Sequence, residues 1–219
     1  MQKEFYQTIA KLLASTNPEE LHQGLQLIKQ EISEIGSQEA KPLFEMISSI
    51  FYIDPLDEPE LVPLLEEAIA LVVGFGNWVI PVLIQQLEAG DLKAEMAAAQ
   101  ALGRIGADAI EPLMAEYQTI SDPMQRSFIL YALSKIKSPK ILRAVPFALE
   151  SVLSSDHELR DTAIRALGKF IESIPPAALP EDMRQRFLEI FQKHPTDHDP
   201  GIRAKIVRNL GQVAKYGHL

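Results

Sequence analysis

Cysteine is missing from all 219 residues, which excludes disulfides and thiol catalysis and removes the usual ligands of structural zinc. A cysteine-free folded chain suits a reducing compartment, and a cytoplasmic protein is expected. Long apolar runs are scarce too. The longest, AIALVVGFGNWVIPVL, is broken by Gly74, Gly76 and Asn77 and preceded by Glu66 and Glu67, whereas a spanning helix needs about 20 consecutive apolar residues. It reads as two core helices with a turn between them. The N-terminal MQKEFYQTIAKLLAS is amphipathic and carries Glu4, so it lacks the apolar stretch of a secretion signal. A soluble chain is expected, with no membrane partner.

Positive charge is also short. The net charge of -9 argues against non-specific binding to nucleic acid or to an anionic membrane. The deficit is local: residues 1–90 hold 4 Lys or Arg against 14 Asp or Glu, while residues 91–219 hold 17 against 16. Familiar catalytic signatures are lacking as well. There is no GxSxG elbow, and GFG and GRIG sit at helix ends without the Lys and Ser or Thr of a phosphate loop. No catalytic residue, cofactor or metal is assigned. Trp78, the single tryptophan, opens an apolar helix and is read as core in preference to a base-stacking group.

What is present is a repeat. Asp91 to Pro112, DLKAEMAAAQALGRIGADAIEP, reads as an amphipathic helix closed by Gly106, a short turn and the start of a second helix. Asp91, Asp122, Asp156 and Asp199 each lie eleven residues before a leucine (Leu102, Leu133, Leu167, Leu210), and a small residue follows each leucine: Gly103, Ser134, Gly168, Gly211. The aspartates suit N-caps, where a carboxylate accepts from free backbone amides and meets the positive end of the helix dipole. Pro123 and Pro200 suit first turns. Four residues after each cap comes Arg126, Arg160 or Arg203, with Glu95 as the exception. Pro42, Pro81, Pro112 and Pro146 each begin an apolar run in the partner helices.

Along the chain the pattern predicts helices over 2–15, 19–35 (capped by Asn17, closed by Gly36 as a left-handed C-cap), 40–52, 60–73 and 78–88. After the 91–112 unit come 122–136, 139–153, 156–172, 183–193 and 202–215. Breaks are expected at Asp54–Pro59 and at Pro175–Pro180. Asp-to-Asp spacings of 31, 34 and 43 residues fit two-helix units that cannot bury an apolar face alone.

The framing in ALGRIGADAIEPLM, with DHELRDTAIRALG and DPGIRAKIVRNLG, resembles the HEAT-repeat family, and within it the HEAT-like repeats of phycobilisome lyases. The resemblance covers most of residues 18–215. It implies an all-α fold, a right-handed α-α superhelix or HEAT-like solenoid of about six helical hairpins. One domain over residues 1–219 is expected, with acidic, degenerate repeats in 1–90 and regular ones in 91–219. It also implies that the second helix of each hairpin lines a concave side, and that Asp122, Arg126, Asp156, Arg160, Asp199 and Arg203 form a structural ladder along the turns.

On a helical wheel after Asp156, Leu159, Ala163, Ala166, Leu167 and Phe170 share the buried face, which leaves Asp161, Arg165, Lys169 and Glu172 opposite. Equivalent positions in the other copies give a ridge of Gln100, Arg104, Tyr131, Lys135, Arg165, Lys169, Arg208 and Gln212. The ridge is read as gripping another protein through an acidic or phosphorylated segment, with a merely solvated face as the alternative. His194, Asp197, His198 and Asp199 are the one metal-like cluster, but the prolines around them make a loop, and Asp199 is needed as a cap. The expected function is a non-catalytic scaffold or adaptor. A bilin lyase or lyase-like chaperone subunit stands second, by resemblance. A nucleic-acid enzyme is disfavoured by charge.

Overall fold

A computed structural model describes residues 2–36, 40–193 and 200–216. Among them there are twelve α-helices and no strand. The helices are α1 (Gln2–Leu13), α2 (Pro18–Ile35), α3 (Lys41–Ser48), α4 (Val62–Gly74), α5 (Ile80–Gln86), α6 (Leu92–Ile105), α7 (Ile110–Thr119), α8 (Pro123–Lys135), α9 (Val145–Ser151), α10 (His157–Ser173), α11 (Glu181–Lys193) and α12 (Pro200–Tyr216). In chain order they make six hairpins. The all-α class of paired helices expected from the sequence is the one the chain adopts.

Their ends follow from local chemistry. Asn17 Oδ1 accepts from the Glu19 amide at 2.9 Å, Asp91 Oδ1 from Lys93 and Ala94 at 3.0 and 3.2 Å, Asp122 from Gln125 at 2.9 Å and Asp156 from Leu159 at 2.9 Å. These are the orphan first-turn donors that a side-chain cap satisfies. Asp199 lies outside the described residues. Helices expected to begin at 60, 78 and 139 start instead as 3-10 turns, at Pro59–Leu61, Asn77–Val79 and Pro139–Ala144. Pro63, Pro81 and Pro146 then occupy the first turn of α4, α5 and α9, where the missing N–H deprives the helix of no bond. Gly36 closes α2 at positive φ, but its ψ of 154° is extended and not left-handed helical. The first helix stops at Leu13, two residues early, and Ser15 Oγ accepts the Asn17 N–H at 3.0 Å.

The chain forms two compact units, Met1–Ile105 and Gly106–Leu219. In the first, α2 packs on α4 and α4 on α6, while α1 covers α2 and α5 covers α6. Ala94, Ala97, Ala98, Ala99 and Ala101 of α6 are buried, so neighbouring backbones approach closely. Trp78 is half-buried, its ring 6.1 Å from Phe44 and 5.5 Å from Phe75. No single helix among the described residues is long and apolar enough to cross a membrane, and the apolar pair built on α4 and α5 is bent by 108° at its break.

In the second unit α8 packs on α10 and α10 on α12, with α7, α9 and α11 as the outer partners. Ile129, Leu130 and Leu133 of α8, Ala163, Ile164 and Leu167 of α10, and Ile206 of α12 are buried. The residue before the column leucine is a buried alanine at 132 and 166 but Asn209 in α12. That amide, 2 % exposed, donates from Nδ2 to the Ile164 carbonyl at 2.8 Å. Gly168 makes the room: a Cβ there would lie 2.9 Å from Asn209 Oδ1. The glycine is thus tied to one partner. Gly168→Ala should destabilise the chain by about 1–2 kcal/mol through loss of this bond, yet in an Asn209→Ala background it should stabilise by up to about 1 kcal/mol, as alanine does inside a helix. Urea unfolding of the four proteins checks the change of sign.

Candidate functional site

The row α8–α10–α12 carries most of the ridge. Lys135, Arg165, Lys169 and Arg208 are exposed, while Tyr131 and Gln212 are half-buried. Gln100 and Arg104 belong to α6 in the first unit, half-buried and exposed respectively. The cations are largely matched by internal partners. The Lys135 ammonium sits 4.5 Å from the centre of the Tyr131 ring, a favourable placement over its negative face. Lys169 pairs with Glu172 at 2.8 Å, and Arg104 pairs with Glu66 of α4.

Arg165 pairs with Asp161, whose other oxygen receives Lys205 of α12. This corrects the wheel reading, which placed Asp161 outward: it is 7 % exposed. A wheel sees one helix, and the neighbouring helix lays its lysine across this residue. Two cations on one carboxylate meet the cost of burying it.

Between the C-terminal turns of α8 and α10 lies a groove of about 630 Å³ lined by Ser134, Lys135, Lys137, Lys169, Glu172 and Ser173. Ser134 Oγ donates to the Tyr131 carbonyl at 2.6 Å and Ser173 Oγ to the Lys169 carbonyl at 3.3 Å. The lysines lie near the negative ends of both helix dipoles. Such a groove can take a side chain or short segment with acidic groups while the paired carboxylate limits its net charge. Lys137, Glu172 and Ser173 were not picked as binding residues from the sequence. Lys137 lies beyond the end of α8, so a column defined by helical spacing passes over it.

The ladder residues do local work. Arg126 Nε donates to the Ile120 carbonyl at 2.7 Å and its guanidinium lies 4.9 Å from the centre of the Tyr117 ring. Arg160 Nη1 donates to the Ser154 carbonyl at 3.2 Å. Each binds a carbonyl six residues earlier, in the turn before its own helix. Tyr117 also bonds Ser151 across α7 and α9. Because Ser151 Oγ already gives its proton to the Phe147 carbonyl at 2.8 Å, Tyr117 is the donor. Arg203 is half-buried in the first turn of α12.

Glu95 holds the equivalent place in α6 with the opposite charge. Its Oε1 accepts the Gly90 N–H at 2.9 Å, and Gly90 has a φ of 73°. The side chain is 6 % exposed. Burial pushes its carboxyl above the ordinary value, against the lowering effect of the Gly90 bond, and the Asp91 carboxylate adds to the rise.

Among the described residues no three His, Cys, Asp or Glu side chains converge as metal ligands. The cluster His194, Asp197, His198 and Asp199 lies outside the described residues. His157 Nδ1 is 3.4 Å from Glu158.

Residues 80–168 match the family of HEAT repeats. No curated protein matches the chain significantly. Two crystal structures of engineered proteins from the Northeast Structural Genomics Consortium share the fold. One is 20% identical with a TM-score of 0.53, covering 97% of this chain and 97% of its own. The other is 20% identical with a TM-score of 0.54, covering 97% of this chain and 54% of its own. At this identity the likeness concerns the fold alone. The matches support HEAT repeats in general and lend no support to the narrower lyase subtype.

Since the native state holds the Glu95 proton more tightly than the unfolded chain, ionising it costs stability. That cost is absent below the ordinary carboxylate pKa and complete once the pH exceeds the raised one. Glu95→Gln keeps the acceptor for Gly90 and should raise the urea midpoint at about pH 8, with the gain vanishing at about pH 4. A gain equal at both pH values would remove charge as its cause.

Proposed function

We propose that the chain is a non-catalytic interaction module whose second-unit row α8–α10–α12 binds an acidic segment of another protein. HEAT-type repeats are scaffolds typically used for protein interaction, and the observation that supports this use here is the lysine-lined groove between α8 and α10. Tyr131 is the apolar anchor, Lys135, Lys137 and Lys169 face the acidic groups, and Arg165 and Arg208 extend the contact along the row. Gln212 completes it on α12, and Gln100 and Arg104 hold the equivalent repeat positions on α6 of the first unit. The internal pairing of Lys169 and Arg165 makes the site selective, because a partner's carboxylates must replace Glu172 or share Asp161's cations. Asp122, Arg126, Asp156, Arg160, Asp199 and Arg203 belong to the same proposal as a structural ladder that holds the row in register.

A fluorescent twelve-residue peptide of aspartate and glutamate is the probe. The full chain should bind it with an affinity that falls with salt. Lys135→Glu with Lys169→Glu should weaken binding by about tenfold or more, while Arg143→Glu, a charge reversal outside the row, should change it by less than about twofold. Equal losses in both variants would defeat the assignment. The proposal also takes residues 1–219 as one domain. Helix loss by circular dichroism and the emission of Trp78 should then share a single urea midpoint, and two separated midpoints would argue for independent units.

A further inference from the structure

Between Lys41 and Lys93 the chain has no lysine, arginine or histidine, while nine Asp and Glu fall in that stretch. Four large apolar side chains at or beside this stretch remain exposed: Tyr52, Leu56, Leu92 and Met96. They are brought together by packing. The 3-10 turn Ser49–Tyr52 lies against α6, and Asp54 reaches Lys93 in the first turn of α6 at 3.3 Å. Leu92 and Met96 stand one helical turn apart on the same face.

Leu56 is displayed by a stiff elbow. Asp54 Oδ1 accepts its N–H at 2.9 Å and the Asp54 carbonyl accepts the Glu58 N–H at 2.8 Å, while Pro55 and Pro59 fix their own φ. The result is a leucine 90 % exposed on an elbow that Asp54 ties to the first turn of α6, where Leu92 is 61 % exposed. Single exposed leucines are ordinary on protein surfaces. A leucine held out by a proline-framed turn, next to further exposed apolar groups, has little ordering cost left to meet on binding.

The charge around it has one sign. Lys93 is bound to Asp54 and also lies within the fields of Asp91 and Asp57, so one cation faces three carboxylates. The Leu56 amide, and after it Lys93, hold the Asp54 carboxyl below its ordinary value, which keeps it ionised. Glu58 and Glu60 follow directly in the elbow.

We propose that the elbow and the first turns of α6 are a docking surface for a cationic amphipathic segment of a protein partner. Its apolar residues cover Leu56, Leu92 and Met96, and its lysines or arginines meet Asp57, Glu58 and Asp91. An acidic segment is repelled here, so the surface complements the lysine-lined groove and does not rest on it.

The test uses the full chain with two synthetic helix-forming peptides, one of leucine and lysine, one of leucine and glutamate. The leucine-lysine peptide should bind saturably, and in the Lys135→Glu with Lys169→Glu chain, whose lysine-lined groove is disabled, it should still bind while the leucine-glutamate peptide does not. Leu56→Ser with Leu92→Ser leaves every charge in place and alters only exposed side chains, yet should weaken binding by about tenfold or more. Leu153→Ser, an exposed leucine of the second unit, should leave binding unchanged. A loss below about fivefold in the double variant, an equal loss in Leu153→Ser, or no saturable binding overturns the proposal. Lys135→Glu with Lys169→Glu leaves this binding intact, so the two sites fail or succeed separately.

Discussion

No hairpin of this chain can bury its own apolar face, and that constraint governs the rest. Ile164 and Leu167 of α10 lie in a row with Ile129 and Leu133 of α8 and Ile206 of α12, all buried. Burying such a side chain is worth about 1.5–3 kcal/mol, and the packing of α8 on α10 and of α10 on α12 brings the neighbouring hairpins into that burial. Close approach is therefore at a premium. Alanines at 132 and 166 provide it by being small, and where Asn209 replaces alanine, Gly168 yields the space and the Ile164 carbonyl satisfies the amide. A polar residue is tolerated in the seam because its hydrogen bond is formed across the seam.

The turns within the hairpins obey a second rule, which concerns polarity and not charge sign. Arg126 and Arg160 each reach back to a carbonyl before their own helix. Glu95, at the same repeat position, reaches back to an amide. What the position needs is a long polar side chain that can satisfy a peptide group of the preceding turn. Gly90, with its positive φ, presents an N–H where the other turns present a C=O, and the side chain changes sign accordingly.

The surfaces left over once these demands are met differ between the two units. In the second unit the row of cations is tempered by Tyr131, Asp161 and Glu172, so geometry and pairing outweigh bulk charge there. In the first unit the deficit of basic residues leaves an acidic surface around the Asp54–Pro59 elbow, broken by exposed leucines. The two faces differ in the chemistry they would accept.

The sequence by itself determined the helices, the N-caps at Asn17, Asp91, Asp122 and Asp156, the hairpin count and the repeat class, because each depends on residues within a turn or two of one another. Asp122 before Pro123, or Asn17 before Pro18, acts within its own first turn. The ridge positions were proposed on the same local ground, as one face of a helix. What the tertiary structure alone decided is which of those groups are engaged. Asp161 is buried by Lys205, 44 residues on. Arg104 is held by Glu66, 38 residues back, and Tyr117 bonds Ser151, 34 residues ahead. These partners lie in a neighbouring hairpin, and a helical wheel contains no term for the side chain that an adjacent helix lays across it.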